Sequence, residues 1–182
     1  GVPLNPEGYF FLPLWTNWRP GPDPGILDWY TVLGGLIALV ALAIHGALYL
    51  AVKTQGDLQS RARTFAQRGW VALAALTLIS LPASIVVRKD TLDNYRAFPL
   101  AFAVPVIVLI ALGGMHFFSR KGDDRKAFAS SCVYLATMLV GAAVGLYPRL
   151  LPSSRDPAMD ITIAKALSGP HTLQVGLIWW FL

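Results

Sequence analysis

Residues 29–52 read WYTVLGGLIALVALAIHGALYLAV and contain no charged side chain. A transmembrane α-helix needs about 20 mostly apolar residues to cross the hydrocarbon core of a bilayer. Three further stretches meet this requirement, at residues 70–87, 98–118 and 128–147, and another apolar stretch begins near Thr172. The sequence therefore predicts an all-α, polytopic transmembrane helix bundle with four complete spans and the truncated start of a fifth.

The composition agrees with a membrane protein. Hydrophobic residues make up 55% of the 182 positions and charged residues only 14%, whereas a soluble domain carries about 25% charged residues. A soluble enzyme, a disordered tail and a disulfide scaffold are therefore poor fits. The single cysteine, Cys132, excludes an internal disulfide and a cysteine-rich zinc or iron–sulfur site. The net charge is +5, and the basic residues lie between the apolar runs, where they can contact lipid headgroups. We therefore expect no nucleic-acid partner.

Residues 1–28 contain six prolines and predict an irregular loop before the helical bundle of residues 29–182. The chain opens without an initiator methionine and ends in an apolar run, so we expect it to be a piece of a longer protein.

The links between spans carry an uneven charge. Residues 53–69 hold four cations against one acid, and residues 119–127 hold four cations against two acids. The remaining extramembrane stretches balance to zero. Because short loops rich in Lys and Arg stay in the cytoplasm, we expect these two links to be cytoplasmic and the Pro-rich start to lie outside.

Two histidines lie inside predicted spans, His45 in the first and His116 in the third. Two intramembrane histidines are what a bis-imidazole haem site needs, so a haem-binding b-type membrane cytochrome is one hypothesis. Helical rise, however, places the two side chains roughly 7 Å apart in depth, which favours neutral histidines that each face another helix. A transporter fragment is a further alternative, although no acidic residue lies inside a complete span. We expect a solvated or capping role for His171 and a packing role for Cys132.

Small residues recur in two spans. Gly141 and Gly145 form a G-x-x-x-G pattern in the fourth, which indicates close helix packing. Gly113 and Gly114 form a similar but weaker signal in the third.

The loop sequences resemble one family. HGALYL at 45–50, KTQGDL at 53–58 and RAR at 61–63 match a stretch of subunit II of cytochrome bd quinol oxidases. YPRLLPSS at 147–154, followed by ITI, SGPHTL and the opening GVPLN, resembles the same subunit. The likeness covers essentially the whole chain but only the C-terminal half of the subunit. Ala164 and Gly169 depart from the usual tryptophan and serine of the family.

The resemblance implies a non-haem scaffold subunit of the bacterial cytoplasmic (inner) membrane, paired with subunit I. In that family, subunit I carries haems b558, b595 and d, and the complex oxidises quinol and reduces dioxygen to water. We accordingly expect no catalytic, cofactor-binding or metal-ligating residue in this chain. Some members hold a structural quinone in subunit II, for which the sequence assigns no residue. A small accessory membrane subunit is also compatible with the resemblance.

Overall fold

The computed structural model describes residues 1–5, 9–88, 91–167 and 169–181. It contains four helices that are long and apolar enough to cross a membrane, which confirms the predicted all-α transmembrane bundle. The elements in chain order are α1 (Trp29–Lys53), α2 (Asp57–Val87), α3 (Thr91–Ala97), a 3₁₀ turn (Pro99–Phe102), α4 (Ala103–Arg120), α5 (Asp124–Leu146), β1 (Arg149–Leu151), a 3₁₀ turn (Pro157–Met159), β2 (Ile161–Thr162), α6 (Ile163–Ala166) and α7 (Pro170–Phe181).

The four long helices pack as two neighbouring pairs. Helix α1 lies against α2 and α4 against α5, and contacts of α1 with α5 and of α2 with α4 join the pairs. The core between them is made largely of small and branched side chains, among them Ala41, Ile44, Ala47, Leu48, Leu73, Ala111 and Leu112. Small side chains let helix backbones approach closely, which is the main packing device where lipid surrounds the helices.

Helix α2 is longer than the predicted span. It begins at Asp57 rather than at residue 70 and has 31 residues, or about 46 Å at helical rise, against a hydrocarbon core of about 30 Å. Most of the link at residues 53–69 is therefore helical. Its charged residues suggested a loop, yet residues 59, 63 and 67 are half-buried on one face while residues 61, 64, 65 and 68 are exposed. We call this side of the bundle, residues 53–69 and 119–127, the basic end.

The opposite side, the loop end, comprises residues 1–5, 9–28 and 148–167. The described part of residues 1–28 contains no helix, in agreement with the proline content. Asp28 is the N-cap of helix α1. Its side chain accepts hydrogen bonds from the N–H groups of Tyr30 and Thr31 in a capping box.

A small antiparallel pair, β1 and β2, follows α5 and was not expected from the sequence. Val2 lies beside it: the N–H of Val2 donates to the carbonyl of Pro152 and the N–H of Ser154 donates to the carbonyl of Val2, both at 2.9 Å. Asp160, which is 5% exposed, forms an ion pair with Arg149. These bonds join the first residues of the chain to the segment after α5.

Glycines of α2, α4 and α5 lie at helix–helix contacts. A Cβ atom at Gly69 of α2 would lie 3.1 Å from Cγ1 of Ile44 on α1. A Cβ atom at Gly141 would lie 3.2 Å from Cγ1 of Val104 on α4, and one at Gly114 would lie 2.9 Å from Oγ of Ser130 on α5. A Cβ at Gly113 would meet nothing within 4 Å. The third span, whose glycine pattern is the weaker one, therefore supplies the closest of these contacts, and it does so through Gly114 and not Gly113.

We predict that Gly114→Leu lowers the free energy of unfolding by about 1–3 kcal/mol because the new side chain overpacks the α4–α5 contact. Gly113→Leu is the matched control: it adds the same atoms one residue away into open space and should leave stability unchanged or slightly raised. Thermal unfolding of the purified full-length protein measures both. Equal melting temperatures for the two variants would contradict the contact at Gly114.

Candidate functional site

His45 joins α1 to α5. Its Nδ1 atom lies 2.8 Å from Oγ of Ser131, and its ring centroid lies 4.8 Å from that of Phe128. Because water is absent from the hydrocarbon core, a polar side chain there needs a partner within the protein. The histidine therefore joins α1 to α5 through a hydrogen bond.

His116 joins a different pair of helices. Its ring, on α4, lies 4.2 Å from the ring of Trp70 on α2, centroid to centroid. Nε1 of Trp70 donates a hydrogen bond of 2.8 Å to the carbonyl of Leu112, one turn before His116. The two histidines thus belong to separate helix contacts, α1 with α5 and α2 with α4.

The other residues considered from the sequence lie apart from these contacts. Cys132 is a free, exposed thiol on α5, and His171 is exposed in the first turn of α7. Within the described residues, no group of three or more His, Cys, Asp or Glu side chains is placed to hold a metal ion.

A hydroxyl pair that the sequence did not indicate lies deeper in the bundle. The hydroxyls of Thr77 on α2 and Tyr134 on α5 are 2.7 Å apart, and the two residues are each 1% exposed. Nearer the loop end, the hydroxyl of Tyr30 on α1 lies 2.9 Å from Oγ of Ser84 on α2. Helix α2 therefore bonds to α1, α4 and α5 at successive depths.

At the basic end, α2 holds the turn between α4 and α5. Nε and Nη2 of Arg63 donate to the two carboxylate oxygens of Asp124, each at 2.7 Å. Nε2 of Gln59 lies 3.0 Å from the same carboxylate and 2.9 Å from the carbonyl of Ala51 on α1. Nε2 of Gln67 donates to the carbonyl of Ser119 on α4. These four side chains, Gln59, Arg63, Gln67 and Asp124, form what we call the basic-end clamp.

The geometry of the α4–α5 turn aims Asp124 at Arg63. Gly122 adopts a φ of +76°, a conformation that side chains other than glycine rarely adopt. Asp123 caps α5 by accepting from the backbone N–H of Lys126. Hydrogen bonds from the Lys126 side chain and backbone lower the pKa of Asp123. Asp123 is half-buried and paired within its own turn. Asp124 is the carboxylate that turns inward, where it is 8% exposed.

The interhelical side chains of α2 share one face. Gln59, Arg63 and Gln67 are spaced by four residues, and Trp70, Thr77 and Ser84 by seven. Residues four or seven positions apart lie on nearly the same side of a helix with 3.6 residues per turn. We call these six residues the polar stripe of α2. The spacing was readable in the sequence, but the partners were not, because they lie on other helices.

A cavity of about 1070 Å³ opens at the loop end. Its lining includes Trp18, Trp29, Arg19 and Arg149. Tryptophan and arginine beside the ends of membrane helices match the chemistry of a membrane–water interface.

Comparison with known proteins decides the family. The family model for cytochrome bd terminal oxidase subunit II matches residues 1–182. The chain belongs to this family. The resemblance drawn from the loop sequences is thereby confirmed. The stretch that carried most of it, residues 45–63, contains three side chains that hydrogen-bond to side chains of α5, namely His45, Gln59 and Arg63.

Individual members of the subunit II family are similar to the chain. Cytochrome bd ubiquinol oxidase subunit 2 of Bacillus subtilis is 32% identical over 148 residues, which cover 80% of this chain and 42% of that protein. Probable cytochrome oxidase subunit 2 of Haemophilus influenzae is 27% identical over 181 residues (85% and 47%). Cytochrome bd-I ubiquinol oxidase subunit 2 of Escherichia coli K12 is 26% identical over 203 residues (96% and 52%). The chain spans about half the length of these relatives.

We predict that Asp124→Asn in this subunit lowers the free energy of unfolding by about 1–3 kcal/mol, since it weakens charge-assisted hydrogen bonds from Arg63 and Gln59. The lower part of this range is expected because Arg63 remains 34% exposed. Asp123→Asn is the matched control: it removes the neighbouring carboxylate, which is less buried, but keeps a good helix cap. Chemical denaturation of both variants measures the difference. A loss in Asp123→Asn as large as that in Asp124→Asn would contradict the clamp.

Proposed function

We propose that the chain is the C-terminal part of the non-haem scaffold subunit of a bd-type quinol:oxygen oxidoreductase. The family match over the whole chain and the relatives named as ubiquinol oxidase subunits support this proposal. In this proposal the partner, subunit I, carries haems b558, b595 and d and reduces dioxygen to water with electrons from quinol. The present chain holds the membrane framework on which that subunit assembles, and it supplies no catalytic residue itself.

The observation that best supports the scaffold role is that the two intramembrane histidines contact different pairs of helices. A haem bound by two histidines needs both imidazoles on opposite faces of one macrocycle. His45 instead bonds Ser131 between α1 and α5, and His116 stacks on Trp70 between α2 and α4. Both imidazoles therefore contribute to helix packing, as intramembrane polar side chains commonly do.

We predict that the assembled oxidase keeps its full haem content when either histidine is replaced by a side chain that preserves the packing contact. His45→Asn retains a hydrogen-bonding group towards Ser131, and His116→Phe retains a ring against Trp70. Reduced-minus-oxidised spectra of the purified complex, normalised to protein, measure each haem. Loss of the same haem band in both variants, at normal assembly, would replace the scaffold proposal with that of a haem-binding cytochrome.

We also propose that the basic end faces the cytoplasm of the bacterial cell. Its exposed cations include Arg61, Arg68, Arg120 and Arg125, and short Lys- and Arg-rich segments are retained on that side. The loop end, with the Pro-rich start, then lies outside the cytoplasmic membrane.

Thiol labelling of intact cells tests this orientation, in a protein whose Cys132 has been replaced. We expect Ser60→Cys and Lys121→Cys, at exposed positions of the basic end, to react with a membrane-impermeant reagent only after permeabilisation. Gly21→Cys, at the loop end where a new Cβ meets nothing within 4 Å, should react in intact cells. The opposite pattern would invert the topology.

A further inference from the structure

A small cavity lies where α1, α2 and α4 meet, beside Gln67 of the basic-end clamp. Its volume of about 10 Å³ gives room for the centre of about one water molecule. The apolar walls come from Ile44 and Leu48 of α1 and from Trp70 of α2. The polar part of the lining comes from Gln67, His116 and Ser119.

Two polar atoms of this lining are buried without a hydrogen-bond partner among the described residues. They are Nδ1 of His116 and Oγ of Ser119, and Ser119 as a whole is only 5% exposed. Other hydroxyls in the bundle donate to a carbonyl one turn back in their own helix, as Thr77 of α2 and Ser130 of α5 do. Ser119 makes no such bond in the structure, so its hydroxyl proton needs another acceptor.

The two atoms are placed to share one partner. His116 and Ser119 are three residues apart on α4 and therefore lie on the same face of the helix, and both line the same cavity. Buried water is typically found where two to four otherwise unpaired polar groups surround a space of this size.

We propose that this cavity is a binding site for a single structural water molecule. The water accepts a hydrogen bond from the Ser119 hydroxyl and donates one to Nδ1 of His116. Gln67 supplies a third polar side chain beside the same water, and its Nε2 already bonds the Ser119 carbonyl at 3.2 Å. The water thus joins two side chains of α4 beside the hydrogen bond that Gln67 of α2 makes to the Ser119 carbonyl.

Removing the Ser119 hydroxyl changes the melting temperature in opposite directions for a hydrated cavity and a dry one. In a dry cavity, Ser119→Ala deletes an unpaired buried hydroxyl and should raise the melting temperature of the full-length protein or leave it unchanged. With the water present, the variant breaks the bridge and should lower the melting temperature. Ser130→Ala, which removes a hydroxyl satisfied by its own helix, is the matched control and should lower it less.

The same substitution made in a His116→Phe background tests whether the two side chains act through one molecule. We expect Ser119→Ala to lose most of its effect there, because the bridge is already broken. An equal loss in both backgrounds, or no loss in the first, would overturn the proposal.

A high-resolution electron cryomicroscopy map of the wild-type complex gives an independent reading if the His116→Phe protein fails to assemble. The proposal requires a single density peak within hydrogen-bond distance of both Nδ1 of His116 and Oγ of Ser119. A clear map without that peak would overturn it.

Discussion

A polar side chain inside a bilayer has no water to bond, and this constraint organises the bundle through the polar stripe of α2. Lipid tails are as apolar as leucine, so burying leucine between two membrane helices gives little net stabilisation. Close packing of small residues and interhelical hydrogen bonds remain as the forces that select one arrangement. Trp70, Thr77 and Ser84 bond α4, α5 and α1 respectively. Each such bond contributes about 0.6 kcal/mol on average in a membrane protein, and their value here is that they fix which helices are neighbours.

The basic end extends the same logic beyond the hydrocarbon core. Arg63 and Gln59 converge on one inward-facing carboxylate, Asp124, which begins α5. Gln59 also bonds the last turn of α1. One short piece of α2 therefore fixes the end of α1, the α4–α5 turn and the start of α5. This explains in physical terms why the family-like stretch at residues 45–63 includes charged and amide side chains: they hold helices together.

The spans could be predicted well because the signal is local. A run of 18 or more mostly apolar residues indicates a span whatever the helix packs against. The sequence-based prediction placed the start of α2 at residue 70 because charge marks the edge of the hydrocarbon core, whereas the helix continues to Asp57. Helix propensity and a polar face with partners on other helices keep that segment helical outside the core. The pairing of Val2 with Pro152 and Ser154 could likewise not be predicted from the sequence, because it depends on how two distant segments of the chain align with each other. His45 and His116 were recognised as the notable intramembrane side chains, but their separate partners emerged only once the helices were assembled.

The central claim is that the amphipathic segment 57–69 belongs to the rigid helical framework and is not a loop between spans. Hydrogen–deuterium exchange of the full-length protein in lipid nanodiscs tests this most directly, because backbone amides in a packed helix exchange only when the helix opens. Peptides that cover residues 60–69 should remain protected from exchange for hours, as should those that cover residues 70–84. Complete exchange of residues 60–69 within seconds, with residues 70–84 still protected, would contradict the account.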